Sequence, residues 1–179
     1  MAVSYYPQTG TIRQVRFIYA VSTMKDFIEE VNQRTIKLMQ TEKGAPLIDE
    51  YALDFDNSPL AQECLEKAVN DTAQIIRDIR PLTDAPDIFT TVDGVESIVF
   101  TLRYSSFYHD DDISAMDIDL PDMIVSKALI AWYAAHDNNV LSERAKLNEK
   151  DSLGRMMPLW RNMFRDANRK VLRNPFSVN

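Results

Sequence analysis

"DIFTTVDGVESIVFTLRYSSFYHDDDISAMDIDL", residues 87–120, decides what kind of fold this 179-residue chain builds. Its first half reads as a hairpin. "DIFTTV" and "VESIVFTL" flank Asp93 and Gly94, a two-residue linker in which both positions tolerate positive φ, as a type I′ turn requires. Its last seven residues, "SAMDIDL", alternate: Met116, Ile118 and Leu120 point one way, Asp117 and Asp119 the other. That period predicts a third strand, and with it a small antiparallel β insertion over about residues 87–120.

Helical patterns surround the insertion. Upstream, Met24, Phe27, Ile28, Val31, Thr35, Leu38 and Met39 recur at helical spacing, with Thr23 placed to cap, Asp26 in the first turn, and Gly44 and Pro46 as the stop. A second helix follows from Ser58 as N-cap and Pro59 as first helical residue. Leu60, Cys64, Leu65, Ala68, Thr72, Ile75, Ile76 and Ile79 form its stripe, and Pro81 ends it. The two one-sided stripes match in width and are expected to pack as a helix hairpin. Downstream, "LPDMIVSKALIAWYAAHDNN" opens at Pro121 and is apolar nearly all round, so it is expected to be the central buried helix. Asn138 and Asn139 make a turn, and Ser142 opens a last helical region that Gly154 and Pro158 should bend or break. Trp160, Met163, Phe164, Ala167 and Val171 form the second stripe of that region. The fold class is therefore α+β and predominantly helical. Residues 1–22, with Tyr5, Tyr6, Pro7 and Gly10, read as an extended arm in which Val15, Phe17 and Tyr19 share one face of a short strand. Residues 23–172 read as one domain and 173–179 as a tail.

Composition limits the function classes. Hydrophobic residues at 45% and charged ones at 26% are ordinary for a chain that buries a core, which argues against wholesale disorder. One cysteine, Cys64, excludes an internal disulfide. The start carries no continuous apolar run of the signal-peptide kind. The longest apolar stretch, residues 123–135, is too short for a bilayer and holds Lys127, so no membrane partner is expected.

The acidic run within the opening stretch, "SSFYHDDDISAMDID" at 105–119, invites a metal or acid/base reading that its spacing does not support. An EF-hand loop counted from Asp110 would need glycine at its sixth position and glutamate at its twelfth, where Ala115 and Pro121 stand. His109 has no second histidine nearer than His136 and no cysteine near it, which fails zinc spacing. Asp110, Asp111 and Asp112 look alike in environment, whereas paired acid/base carboxylates need unlike ones. A solvated bend explains the run. Ser22 and Lys25 match Ser-x-x-Lys without its companion motifs. His136 and Asp137 fit a helix end. Four scattered glycines cannot build a phosphate loop. No catalytic residue, metal ligand or cofactor is implied, and the chain reads as a non-enzyme.

Charge is more informative. The formal net charge is −7. Residues 143–179 hold nine Lys/Arg against four Asp/Glu, while residues 1–142 hold eleven against twenty-three. Arg161, Arg165, Arg169 and Arg173 recur every four residues, with Lys170 beside them, and form one ribbon if the helix holds. Such a ribbon suits an acidic protein face or a phosphate backbone. It is the candidate partner-binding feature of the chain.

The order of these elements resembles a known family. A helix ending near Arg80-Pro81, a small β element, a "Leu-Pro" helix from Leu120 and a further helix opening on Glu143-Arg144-Ala145 are similar to the head–tail connector proteins of tailed bacteriophages. These are the adaptor or ring proteins, including those of crAss-like phages. The likeness is carried by residues 70–81, 120–139 and 142–150 and spans roughly 23–172. The chain departs from the family in its first twenty residues and at the interruption between Gly154 and Pro158. The resemblance implies a structural virion protein of the neck or tail region. It would form a homo-oligomeric ring that docks a portal or neighbouring tail proteins and passes DNA through its lumen without reading sequence. The alternative left open by the arginine ribbon is a nucleic-acid-associated helical protein. A divalent-dependent hydrolase at 110–119 is a third and weaker reading.

Overall fold

Strand β2 (Ile12–Ala20) organises the sheet, taking β1 (Ala2–Tyr6) on one side and β4 (Val95–Ser105) on the other. Short β3 (Phe89–Val92) completes the order β1-β2-β4-β3, antiparallel throughout. The computed structural model describes the backbone of residues 2–6, 12–43, 51–79, 89–105 and 110–172, and the side chains within 14–39, 51–76, 89–102 and 113–158. Register follows the apolar alternation. Val15 faces Leu102, Phe17 faces Phe100 and Tyr19 faces Ile98, and all six are buried. Such directly opposed apolar pairs are the unit that stabilises a sheet. The Asp93-Gly94 turn has φ of 50° and 81°, the conformation its residue types favour. The first 22 residues therefore contribute strands, and β2 is internal to the sheet instead of being a loose arm.

Helix α1 (Val21–Lys43) leaves β2 with no intervening loop. Thr23 lies inside its first turn instead of capping it, and Asp26 sits beyond that turn. Its inner face holds Met24, Ile28, Asn32, Ile36 and Met39, while Leu38, expected inside, is 53% exposed. Gly44 and Pro46 lie outside the described residues. Helix α2 (Pro59–Ile79) starts as its sequence dictates. Ser58 Oγ accepts from the Ala61 N–H at 3.3 Å, and Asp54 Oδ1 accepts from the N–H groups of Asp56 and Asn57 just upstream. Pro81 falls outside the described residues.

The largest departure is at 110–120. Helix α3 (Asp110–Ala135) runs through the segment expected as a third strand and past Pro121, which is inside the helix and not at its start. The physical reason is that two periods compete for the same residues. Ile113, Met116, Leu120, Met123 and Ile124 repeat at three and four and are all fully buried, whereas Ile118, which only the strand reading needs inside, is 69% exposed. The β insertion therefore ends with β4. The expectation of a central, mostly buried helix holds: Val125, Ala128, Leu129, Trp132 and Tyr133 continue the core.

α3 ends in a reciprocal cap. Asp137 adopts φ 54°, its N–H donates to the Ala134 carbonyl, and the Asn138 N–H reaches back to the Tyr133 carbonyl at 2.9 Å, a Schellman arrangement. Asn138 then caps the next helix, its Oδ1 accepting from the Leu141 N–H at 3.0 Å. Helix α4 (Asn139–Leu172) thus begins three residues before Ser142 and continues through Gly154 and Pro158 without a break. At 34 residues it is roughly 50 Å long. The helix hairpin of this fold is α3–α4. α1 and α2 each pack mainly on α3 and not on each other, and α4 also touches β4. The protein is α+β and predominantly helical, with one core cluster built from β2, β4 and all four helices.

Candidate interaction surface

The α3–α4 hairpin positions nearly every polar residue that the sequence singles out. Two ion pairs set its register. Lys127 Nζ meets Glu149 Oε1 at 2.7 Å, and Arg155 Nε donates to Asp119 Oδ1 at 2.7 Å. Asp119 is therefore not on the solvated face of a strand; it is 6% exposed and tied to the guanidinium. Arg155 also donates to Ser152 Oγ at 3.3 Å and approaches Asp122 Oδ2 at 3.6 Å. Burial pushes the Asp122 carboxyl up against the downward pull of Arg155, and the bond to Asp119 raises the Arg155 guanidinium further. A shallow cleft of about 230 Å³ opens beside this cluster, between Val31 of α1, Ser126 of α3 and Asn148 of α4. Its carboxylates already face a cation of the protein's own. The signal that would have found the pair is the i,i+3 spacing of Asp119 and Asp122, which shares one face only on a helix.

Asp117 meets a different fate. Its Oδ1 is buried without a hydrogen-bond partner, and so is the hydroxyl of Tyr19 on β2. The two side chains nevertheless interact: the Tyr19 pKa is raised, first by burial, then by the nearby Asp117 charge and by hydrogen bonding toward that carboxylate. Asp110, Asp111 and Asp112 form the first turn of α3, a place where carboxylates are favourable toward the helix dipole. His109 lies outside the described residues. Among the described residues no group of three or more His, Cys, Asp or Glu is placed to hold a metal ion.

A second polar network fastens the loop before α2. Tyr133 Oη donates to Asn32 Oδ1 at 2.6 Å, Asn32 Nδ2 donates to the Tyr51 carbonyl at 3.0 Å, and Trp132 Nε1 donates to that same carbonyl at 3.1 Å. His136 Nδ1 lies 2.8 Å from the Trp132 carbonyl, with its ring against Trp132 and edge-on to Tyr51. Glu29 accepts from the Phe55 N–H, and Lys25 stands over the Phe55 ring. These groups are spent on structure. Cys64 is buried, with its thiol pKa pushed up by that burial. Ser22 and Thr23 are exposed in the first turn of α1.

The outer side of α4 is the remaining feature. Val140 and Leu147 are 54% and 62% exposed, and Gly154 and Pro158 continue the same side at near-whole-turn intervals. Positions 161, 165 and 169 fall in that sector of the helix by backbone phase, whereas position 170 falls in the sector of Ser152 and Met156. Arg173 lies outside the described residues. Extending the ion-pair register brings the first turn of α3 level with the neighbourhood of position 165, so the acidic run and the arginine positions occupy the same end of the hairpin. No helix among the described residues is long and apolar enough to cross a membrane.

No family model, curated protein or solved structure matches the chain.

Proposed function

We propose that the chain is a structural subunit of a tailed-bacteriophage particle. It would be a head–tail connector that forms a homo-oligomeric ring below the portal and acts by shape, with DNA passing through the lumen. The observation that carries this reading is where the family-like phrases fall. Residues 70–79 end α2, residues 120–139 span the rest of α3 and its cap, and residues 142–150 lie on α4. The elements bearing the likeness are thus α3 and two of the three helices packed against it, α2 and α4. The charge split supports the same reading, since an acidic body and a basic C-terminal stretch are complementary between neighbouring copies. An acidic lumen would repel phosphate and let DNA slide. Docking to a portal or adjacent tail protein, location in the virion neck and the absence of catalysis all belong to this proposal.

The test is charge reversal. Arg161→Glu, Arg165→Glu and Arg169→Glu together should leave circular dichroism unchanged and abolish the large species seen in sedimentation velocity at high protein concentration. Unchanged sedimentation in the triple variant would refute the proposed role of these residues. The alternative, a nucleic-acid-associated protein, is favoured by the placement of positions 161, 165 and 169 on one helix side. It requires binding to a short DNA duplex that weakens steeply with salt and disappears in the same variant.

A further inference from the structure

Proline lacks the backbone N–H that a helix interior uses at every residue, so each internal proline leaves one carbonyl, four residues earlier, without its donor. α3 and α4 each contain one. Pro121 withholds the donor that the Asp117 carbonyl would take, and Pro158 does the same to the carbonyl of Gly154. The hairpin register places these two gaps side by side, because Asp119 of the first stretch pairs with Arg155 of the second. Two weakened helical turns in adjacent antiparallel helices thus lie at one level.

Three further observations fall at the same level. Gly154 has helical backbone, is exposed, and a Cβ there would meet nothing within 4 Å, so neither a turn nor close packing calls for glycine. Its consequence is extra backbone freedom directly before the gap. Pro158 is exposed as well, so its ring is not there to fill the core. Asp117 Oδ1 and the Tyr19 hydroxyl lack a well-formed hydrogen bond although the two side chains interact between α3 and β2 at this level.

We propose that the α3–α4 hairpin contains a hinge at the level of residues 117–121 and 154–158, latched by Arg155 on Asp119 and Asp122, about which its far end turns as one unit. That end comprises the first turns of α3, with Asp110, Asp111 and Asp112, and the last turns of α4, with positions 161, 165 and 169. Because Asp119 is buried, loss of the guanidinium would leave a carboxylate unpaired in the interior, so the latch favours one angle until a contact elsewhere outweighs it. The hinge does not depend on what the end binds.

Position 169 lies eleven residues beyond Pro158, about 16 Å along the helix, so a swing of about 30°, in the range of proline kinks, moves it by about 8 Å. Spin labels at position 169, paired in turn with exposed Asp71 of α2 and exposed Glu96 of β4 in a Cys64→Ala background, read that movement as a distance distribution. The expected result is a distribution that Arg155→Ala broadens or splits by several ångströms and that Gly154→Ala with Pro158→Ala narrows to one component. A distribution unchanged by both sets of substitutions, whether narrow or broad, would overturn the hinge, since end fraying alone ignores all three residues. Should the alanine pair lose its helical circular dichroism, the comparison of Arg155→Ala with the native residue decides alone.

Discussion

Tyr133→Phe removes the hydroxyl that joins Asn32 to the buried network and also faces Thr35, and therefore has a calculable effect. The substitution keeps the ring and removes the hydroxyl that donates to Asn32 Oδ1 at 2.6 Å. Asn32 is fully buried, so its acceptor cannot turn to water. Leaving a buried acceptor unpaired costs about 1–3 kcal/mol. For a chain of this length each kcal/mol lowers Tm by about 2–4 °C, so a drop of roughly 4–8 °C is expected at the middle of that range. Asn32→Ala should cost more, because it also removes the amide that holds the Tyr51 carbonyl and leaves the Tyr133 hydroxyl unpaired. The double variant should cost less than the sum of the two, with a coupling of at least about 0.5 kcal/mol. Thermal melts and urea titrations at fixed protein concentration, with far-ultraviolet circular dichroism as the readout, supply the Tm shift and the three free energies. A Tm unmoved by Tyr133→Phe, or strict additivity in the cycle, would refute the network.

Three more predictions test other parts of the structure. Ile118→Lys should change stability by less than about 0.5 kcal/mol and Met116→Lys should abolish cooperative unfolding, because only Met116 is buried; equal effects would restore the strand reading of 114–120. Tyr19→Phe should be close to neutral in urea melts, since it deletes a buried hydroxyl that stands near the Asp117 carboxylate without a well-formed hydrogen bond; a loss above about 1 kcal/mol would show that its interaction with Asp117 is a full hydrogen bond. Asp54 has its pKa lowered, first by the bond from the Asn57 side chain, so its contribution is present above the unfolded carboxylate value and fades as pH falls through the lower folded one. Asn57→Ala should flatten that part of the acid limb of the stability curve, and an unchanged acid limb would contradict the assignment.

Where one signal dominated locally, the sequence was readable. The type I′ turn at Asp93 and Gly94 needs only two residue types, and Ser58-Pro59 opens α2 for reasons internal to the dipeptide. Val15, Phe17 and Tyr19 declared the inner face of β2, although what makes that strand internal is its pairing with nearby β1 on one side and with β4, far along the chain, on the other. The 110–120 segment failed because alternation and helical spacing share Met116 and Leu120, and only Ile118 separates them. The prolines misled for a related reason. Pro121 suits a helix start by its own chemistry, but the packing of Ile113 and Met116 carries α3 backwards past it. The α1–α2 pairing was inferred from matching stripes, and stripe width says nothing about which neighbour covers it. Arg155 with Asp119 was invisible for the same cause as the strand error, since the pair exists only when both residues are on helices.

The account stands or falls on assembly. Light scattering for mass, with particle imaging for symmetry, should find the purified chain at high concentration as a closed ring of identical subunits with a central channel. A monomer under the same conditions, alone and with a portal ring added, would contradict it.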